Sequence, residues 1–147
     1  MSLALDANLL LYASDDSSPF HDRARARLDD VVAGPEIVYV FWPVIMAYLR
    51  IVTHPSIFER PLAPDVARAN VEALLEVPHV VAPGEQEGFW ERFREVAADA
   101  DARGNLISDA HVAALMRQHG VRTILSSDRD YRRFDGVDVR DPFADED

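Results

Sequence analysis

Apolar residues fall in short blocks separated by stretches of helical period, and this alternation organises the chain. The first block, Leu3-Ala4-Leu5, stops at Asp6-Ala7-Asn8, because Asp and Asn favour turns over strand interiors. The apolar pattern then resumes at Leu9-Leu10-Leu11-Tyr12. Asp6 is thus expected at the C-terminal tip of a buried strand, where open α/β sheets place their functional crevice. Ser18 is the expected N-cap and Pro19 the first residue of a helix carrying Phe20, Ala24, Leu28 and Val31 on one face, closed by Gly34. Ile37 to Phe41 reads as the second strand, Pro43 to Val52 as a buried helix, and Ala63 to Glu76 as a further helix. His79 to Ala82, between Pro78 and Pro83, reads as a third strand, followed by a polar helix from Glu85 to Asp101. A helix from Ser108 to His119 ends at Gly120, Arg122 to Ser126 is the next strand, and a helical piece from Asp130 to Phe134 leads to a last strand around Val137 to Val139.

Short strands alternating with longer helices predict βαβ units. The fold class is therefore α/β: a single three-layer α/β/α domain over residues 1–147, with a central, mostly parallel sheet. The last stretch, Asp141 to Asp147, is acidic and is expected to be a frayed, solvated tail.

Composition narrows the chemistry. A net charge of −11 argues against a general nucleic-acid grip through a basic surface. It leaves room for a nucleic-acid substrate, since clustered carboxylates can hold Mg²⁺ and the ion then supplies the positive charge that phosphate needs. The chain has no cysteine, which excludes disulfides and thiolate metal sites. The longest apolar run, Ile37 to Leu49, is interrupted by Pro43 and falls short of the roughly 20 residues of a membrane span. With a strand at the very start and no visible secretory signal, the expected location is cytoplasmic, with no membrane contact.

Three carboxylates stand where such a sheet would gather them. Asp6 follows the first strand, Asp128 follows Thr123-Ile124-Leu125-Ser126, and Asp109 opens a helix whose positive end favours an ionised carboxylate. Asn8, Asn105, Ser126, Ser127 and Asp130 belong to the same expected neighbourhood. Grouped acids repel one another unless a cation neutralises them, and Mg²⁺ takes oxygen ligands from one or two carboxylates plus water and phosphate. Each Asp taken alone is more often a cap, so the joint arrangement is what points to metal-assisted phosphoryl chemistry.

At these residues the sequence resembles a known family. Leu-Ala-Leu-Asp6-Ala-Asn8-Leu-Leu-Leu-Tyr, Gly104-Asn105-Leu-Ile-Ser-Asp109-Ala-His, and Thr-Ile-Leu-Ser-Ser-Asp128-Arg-Asp130-Tyr-Arg-Arg-Phe look like the acidic motifs of PIN domains. They look most like those of the VapC toxins of bacterial toxin–antitoxin modules, as does Tyr48-Leu-Arg-Ile-Val-Thr-His-Pro55. The resemblance implies a PIN-like domain and an endoribonuclease dependent on Mg²⁺ or Mn²⁺ that cleaves an RNA substrate such as tRNA or rRNA. It also implies neutralisation by a cognate antitoxin and a homodimer. By similarity Asp6, Asp109 and Asp128 are the catalytic metal ligands, Asn8 and Asp130 assist, and Ser126 or Ser127 orients substrate or water. One departure stands out: many members carry a Glu in the second helix where this chain has Ala47.

Other features weigh less. Five histidines show no metal-ligand spacing, and Arg50 and Arg129 are weak candidates for gripping phosphate, with Arg132 and Arg133 close to the latter. Trp42 and Trp90, with Phe89 and Phe93, read as core or interface anchors. Two other functions remain open at this point. One is a non-catalytic PIN-like module that binds RNA or protein. The other is a phosphatase with Asp6 as nucleophile, which the Asn at position 8 and the lack of a suitably placed Lys disfavour.

Overall fold

A computed structural model describes residues 1–144; the last three acidic residues, 145–147, lie outside the described part. Strand β1 (Ser2–Leu5) is the centre of a five-stranded sheet. Its apolar run is continuous because helices cover both faces, and Ala4 and Leu5 have no exposed surface. Around it lie β2 (Ile37–Tyr39), β3 (Val80–Val81), β4 (Thr123–Leu125) and β5 (Asp138–Arg140) in the order β3-β2-β1-β4-β5. Every pairing is parallel; Leu3 stands opposite Val38, and Leu5 opposite Leu125.

This order positions the site. The chain steps from β1 to β2 and β3 on one side, then crosses back to place β4 and β5 on the other. The reversal falls between β1 and β4, and a crevice opens at their carboxyl ends because successive connections leave in opposite directions.

Helix α1 (Ala7–Ser14) starts directly after β1, with Asp6 as its N-cap: the carboxylate accepts from the Ala7 amide at 2.8 Å. The resumed apolar pattern at Leu9 to Tyr12 is therefore helical, and Leu9 and Leu10 are its buried residues. Helix α2 (His21–Val32) starts later than the Ser18-Pro19 signal suggests; Ser18 Oγ instead accepts from the Phe20 amide in the preceding turn. Helices α3 (Trp42–Val52) and α4 (Pro64–Leu75) follow, each with proline in its first turn. Helix α5 (Phe89–Asp99) begins after the expected start because residues 84–87 are tied to the next helix. Gln118 exchanges hydrogen bonds with Gln86, and His119 Nε2 lies 2.9 Å from the Gly84 carbonyl.

Helix α6 (Leu106–Gln118) begins two residues before Ser108 and buries Leu106, Ala110, Val112, Ala113, Ala114, Leu115 and Met116. A helix buried around most of its circumference shows little amphipathic signal, so its length is harder to read from period. Gly120, at φ 70°, turns the chain out of α6, and the Val121 amide reaches back to the Met116 carbonyl at 2.8 Å. A 3-10 turn, Arg129–Arg133, links β4 to β5.

Two expectations change. Residues 141–144 are docked, not frayed: Phe143 packs on Tyr12 and Phe20 at ring distances of 5.6 and 5.0 Å, and its carbonyl accepts from Arg23. Of the core and interface readings of Trp42 and Trp90, exposures of 42% and 63% set aside the core one, and Trp90 stacks on half-buried Phe93. Among the described residues no helix is long and apolar enough to cross a membrane.

Candidate active site

The site forms where β1 and β4 end. The Asp6 amide donates to the Leu125 carbonyl at 3.1 Å, which locks the two strand tips side by side. Ser126, directly after β4 and 2% exposed, donates its hydroxyl to Asp6 Oδ2 at 2.6 Å. The same Oγ accepts from the Asp128 amide at 2.9 Å. Asn8 closes the group: its Nδ2 lies 3.3 Å from both Asp6 Oδ2 and Ser126 Oγ. Asn8 Oδ1 is buried and has no hydrogen-bond partner among the described residues, so the cleft holds an acceptor ready for a donor.

Asp128 caps the turn that follows, accepting from the Asp130 amide at 2.9 Å, as Asp commonly does at such positions. Asp109 enters from the first turn of α6. Carboxylate oxygens of Asp109, Asp128 and Asp130 lie within 4.8 Å of one another. Asp6 borders this trio with both oxygens already engaged, by Ala7 on one side and Ser126 on the other. Capping and site-building thus coincide: Asp6 and Asp128 are both caps and members of the acidic group.

The electrostatics reflect four acids in one cleft. Burial raises the Asp6 carboxyl above its ordinary value; hydrogen bonds from Ser126 and Ala7 oppose this, and the charge of Asp128 adds to it. Asp109 is pushed up to about 7, first by burial and then by the charges of Asp128 and Asp6. All four groups are oxygen donors, and their mutual repulsion is the kind that a divalent cation relieves.

The sequence reasoning assigned no role to Tyr131. It is 1% exposed, its hydroxyl donates to Asp6 Oδ1 at 3.5 Å, and it also faces the Asp109 carboxylate. Burial, and then Asp6, Asp109 and Asp128, push the phenol well above its ordinary value, so it remains a neutral donor. The available signal was chemical: a fully buried aromatic position needs no hydroxyl unless a partner awaits it.

The remaining expected residues divide. Ser127 and Asn105 are exposed next to Ser126 and at the N-cap position of α6, where Asn105 makes no side-chain cap bond. Arg129 is exposed at the start of the turn that carries Asp130. Arg50 is exposed in the last turn of α3, about 12 Å along the helix axis from the end nearest the strand tips. Helix α3 carries no acidic residue, and Ala47 on it is half-buried. A cavity of about 720 Å³ lies elsewhere, between α1, α2, α3 and α4. Leu10, Leu28, Ile45, Val66 and Leu74 line it, with Arg25, Asp29 and Arg60 also contributing.

A parallel sheet with acids at its switch point defines the class, and the sequence matches the PIN domain family over residues 3–137. The chain is 49% identical over 144 residues to Ribonuclease VapC48 of Mycobacterium tuberculosis, covering 98% of this chain and 99% of that protein. It is 34% identical over 140 residues to Ribonuclease VapC43 of the same species, covering 95% of each. Among solved structures, VapC20 of Mycobacterium tuberculosis, described as a sarcin-ricin loop cleaving toxin, aligns with a TM-score of 0.66 at 18% identity, covering 92% of this chain and 98% of that one. The VapBC2 structure from Rickettsia felis, bound to a promoter DNA fragment, aligns with a TM-score of 0.69 at 12% identity, covering 95% of this chain and 98% of that one. The chain belongs to the PIN-domain family, and within it to the VapC ribonucleases.

Proposed function

We propose that this chain is the toxin of a toxin–antitoxin pair: a cytoplasmic endoribonuclease, dependent on Mg²⁺ or Mn²⁺, that cuts structured RNA such as tRNA or rRNA. The observation that carries the reading is the meeting of Asp6, Asp109, Asp128 and Asp130 at the β1/β4 switch point. The donor set suits a hard cation: carboxylate oxygens only, three of them contributing atoms within 4.8 Å of one another. Asp109, Asp128 and Asp130 would hold the ion with Asp6 beside them, and Asp130 adds an acid to a site that has Ala47 in α3. Bound there, the ion supplies positive charge for the scissile phosphate and an activated water.

The protein's own residues do the rest. Ser126 and Ala7 fix the Asp6 carboxylate through two hydrogen bonds, so it meets substrate in one orientation. Asn8 Oδ1 offers an acceptor that can orient a water. The exposed guanidinium groups of Arg129, Arg132 and Arg133 stand on the turn next to Asp128, where they can contact the RNA backbone on either side of the cut.

The groove between α1 and α4 supports an antitoxin docking there, since its apolar lining suits an amphipathic segment. Exposed Trp42, Met46, Trp90 and Ile107 support the homodimer reading. Membership in the ribonuclease family, together with Asp6 oxygens already committed to hydrogen bonds, leaves the phosphatase reading without support.

The deciding experiment incubates purified wild-type and Asp6→Ala protein with total tRNA and rRNA in Mg²⁺, Mn²⁺ or EDTA. Discrete fragments that need both metal and Asp6 are expected. RNA retained by folded protein with no cleavage in any condition, and no growth arrest on expression in cells, would instead establish the binding-module reading.

A further inference from the structure

Tyr131 sits in the turn after β4 and is buried to 1% exposure, with its ring 6.3 Å from that of Phe134. Its backbone carbonyl accepts from the Phe134 amide at 3.2 Å, so the turn itself fixes where the ring points. A phenylalanine would fill that space without a polar atom. A buried hydroxyl costs free energy unless it is hydrogen-bonded, and its position therefore identifies the groups it serves.

Those groups are two carboxylates from distant parts of the chain. The hydroxyl donates to Asp6 Oδ1 at 3.5 Å, and Asp109 is the second carboxylate that its polar group faces. It contacts the face of Asp6 opposite Ser126, which holds Oδ2 at 2.6 Å. Ser126 ties Asp6 to the β4 tip; Tyr131 ties Asp6 to α6. No hydrogen bond described between side chains at this site links Asp6 directly to the helix that supplies Asp109. Two carboxylates facing each other repel; the hydroxyl has one proton, which it donates to Asp6, and its oxygen stands between that carboxylate and Asp109 as a neutral spacer.

We propose that Tyr131 is a positioning residue of the metal site, its hydroxyl holding the Asp6 and Asp109 carboxylates at the separation that a divalent cation needs. This rests on the metal-dependent reading given above. Its role is to orient Asp109, which would ligate the ion, and Asp6 beside it, without itself ligating the ion or touching RNA. Hydrogen-bond partners of metal-ligating carboxylates act in this way, and their loss typically weakens metal affinity by roughly 10- to 100-fold. The ring stays in place in Tyr131→Phe, so the fold is retained and the defect is confined to the hydroxyl.

The test is calorimetric titration of Mn²⁺ into metal-free wild type, Tyr131→Phe and Tyr39→Phe, with no RNA present. Tyr39 stacks on Phe41, has no described hydrogen bond to an acid through its hydroxyl, and serves as the control. Tyr131→Phe is expected to bind about tenfold more weakly or worse, with Tyr39→Phe unchanged. RNA cleavage by Tyr131→Phe should recover at high Mg²⁺, whereas Asp109→Asn should not recover. Folded Tyr131→Phe with wild-type affinity overturns the proposal and leaves the metal reading intact. Wild type that takes up no Mn²⁺ overturns the metal reading first, and the proposal with it.

If Tyr131→Phe does not fold, the wild-type protein still decides the matter. Fluorotyrosine labelling gives one ¹⁹F signal for each of the four tyrosines, assigned by replacing Tyr12, Tyr39 and Tyr48 in turn. The Tyr131 signal is expected to move as Mg²⁺ is added, in step with binding. A signal that stays fixed at saturating Mg²⁺ overturns the proposal.

Discussion

Ser126 Oγ lies 2.6 Å from Asp6 Oδ2 and 2.9 Å from the Asp128 amide nitrogen, so one buried hydroxyl joins the residues that end β1 and β4. The contact spans 120 positions of sequence and is the shortest link between the two halves of the acidic group. Ser126→Ala leaves the Asp128 amide without its acceptor and Asp6 Oδ2 with only the longer contact from Asn8 at 3.3 Å. It should lower stability by about 1–3 kcal/mol, read from denaturant unfolding. RNA cleavage by the folded variant should fall by about tenfold or more, because the carboxylate loses its fixed orientation. Wild-type cleavage rates in folded Ser126→Ala would show that Asp6 needs no such support.

Asp109 makes stability depend on pH in a definite direction. Its carboxyl titrates near 7 in the folded chain against an ordinary value of 3.8, so between these values the native state holds a proton that the unfolded state has lost. Stability of the metal-free protein should therefore fall as pH rises through that window, then level off above about 7. Asp109→Asn removes this contribution and leaves the one from Asp6, whose carboxyl is also raised by burial. The variant's melting temperature should exceed that of wild type near pH 8, and the gap should close towards about pH 4. A gap independent of pH would rule out the raised carboxyl.

Metal should act against this loss. An ion held by Asp109, Asp128 and Asp130 has to displace the Asp109 proton, so it competes with acid. Adding Mg²⁺ should raise the melting temperature at about pH 8 and do much less near pH 5. EDTA should reverse the gain, and Asp109→Asn or Asp128→Asn should abolish it. Equal stabilisation at both pH values would place the ion elsewhere.

An antitoxin docked in the groove between α1 and α4 would inhibit without touching the acids. Val66 lines the groove at 46% exposure, so a charged residue there is tolerated by the fold. Val66→Arg should keep RNA cleavage at the wild-type level and weaken antitoxin binding by more than tenfold, about 1.4 kcal/mol. Cells producing the variant together with antitoxin should stop growing, whereas those producing wild type should not. Undiminished protection would assign the antitoxin to another face.

Much of this was legible in the residues. Strand β1 was readable because a strand covered on both faces has an unbroken apolar run, and Asp6 marks its end. Asp109 and Asp128 followed from helix starts and strand ends falling on one edge of a parallel sheet. Periodicity failed where tertiary contacts decide: α6 starts at Leu106, since a helix buried nearly all round has no polar stripe to mark its start. Residues 84–87 stay outside α5 because Gln118 and His119, more than 30 positions later, bind their backbone. Phe143 looked solvated among acidic neighbours until the fold brought Tyr12 and Phe20 to it. Tyr131 was visible all along as part of a motif, but its role depends on where two distant carboxylates meet its hydroxyl.

The strand order also sets when this protein becomes dangerous to the cell that makes it. β1 is made well before its partner β4, which begins only at Thr123, and Asp109 and Asp128 both follow Asp6 by more than 100 positions. Such distant pairings form slowly, because most of the chain must be in hand before they can close. A nascent or prematurely ended chain therefore has one acid at an open sheet edge and no competent site. Activity arrives in one step, once β4 and the turn after it have been made. By then helices α1 to α4, and the groove between them, have already been made, so an antitoxin docking there would find its binding surface complete before the nuclease is.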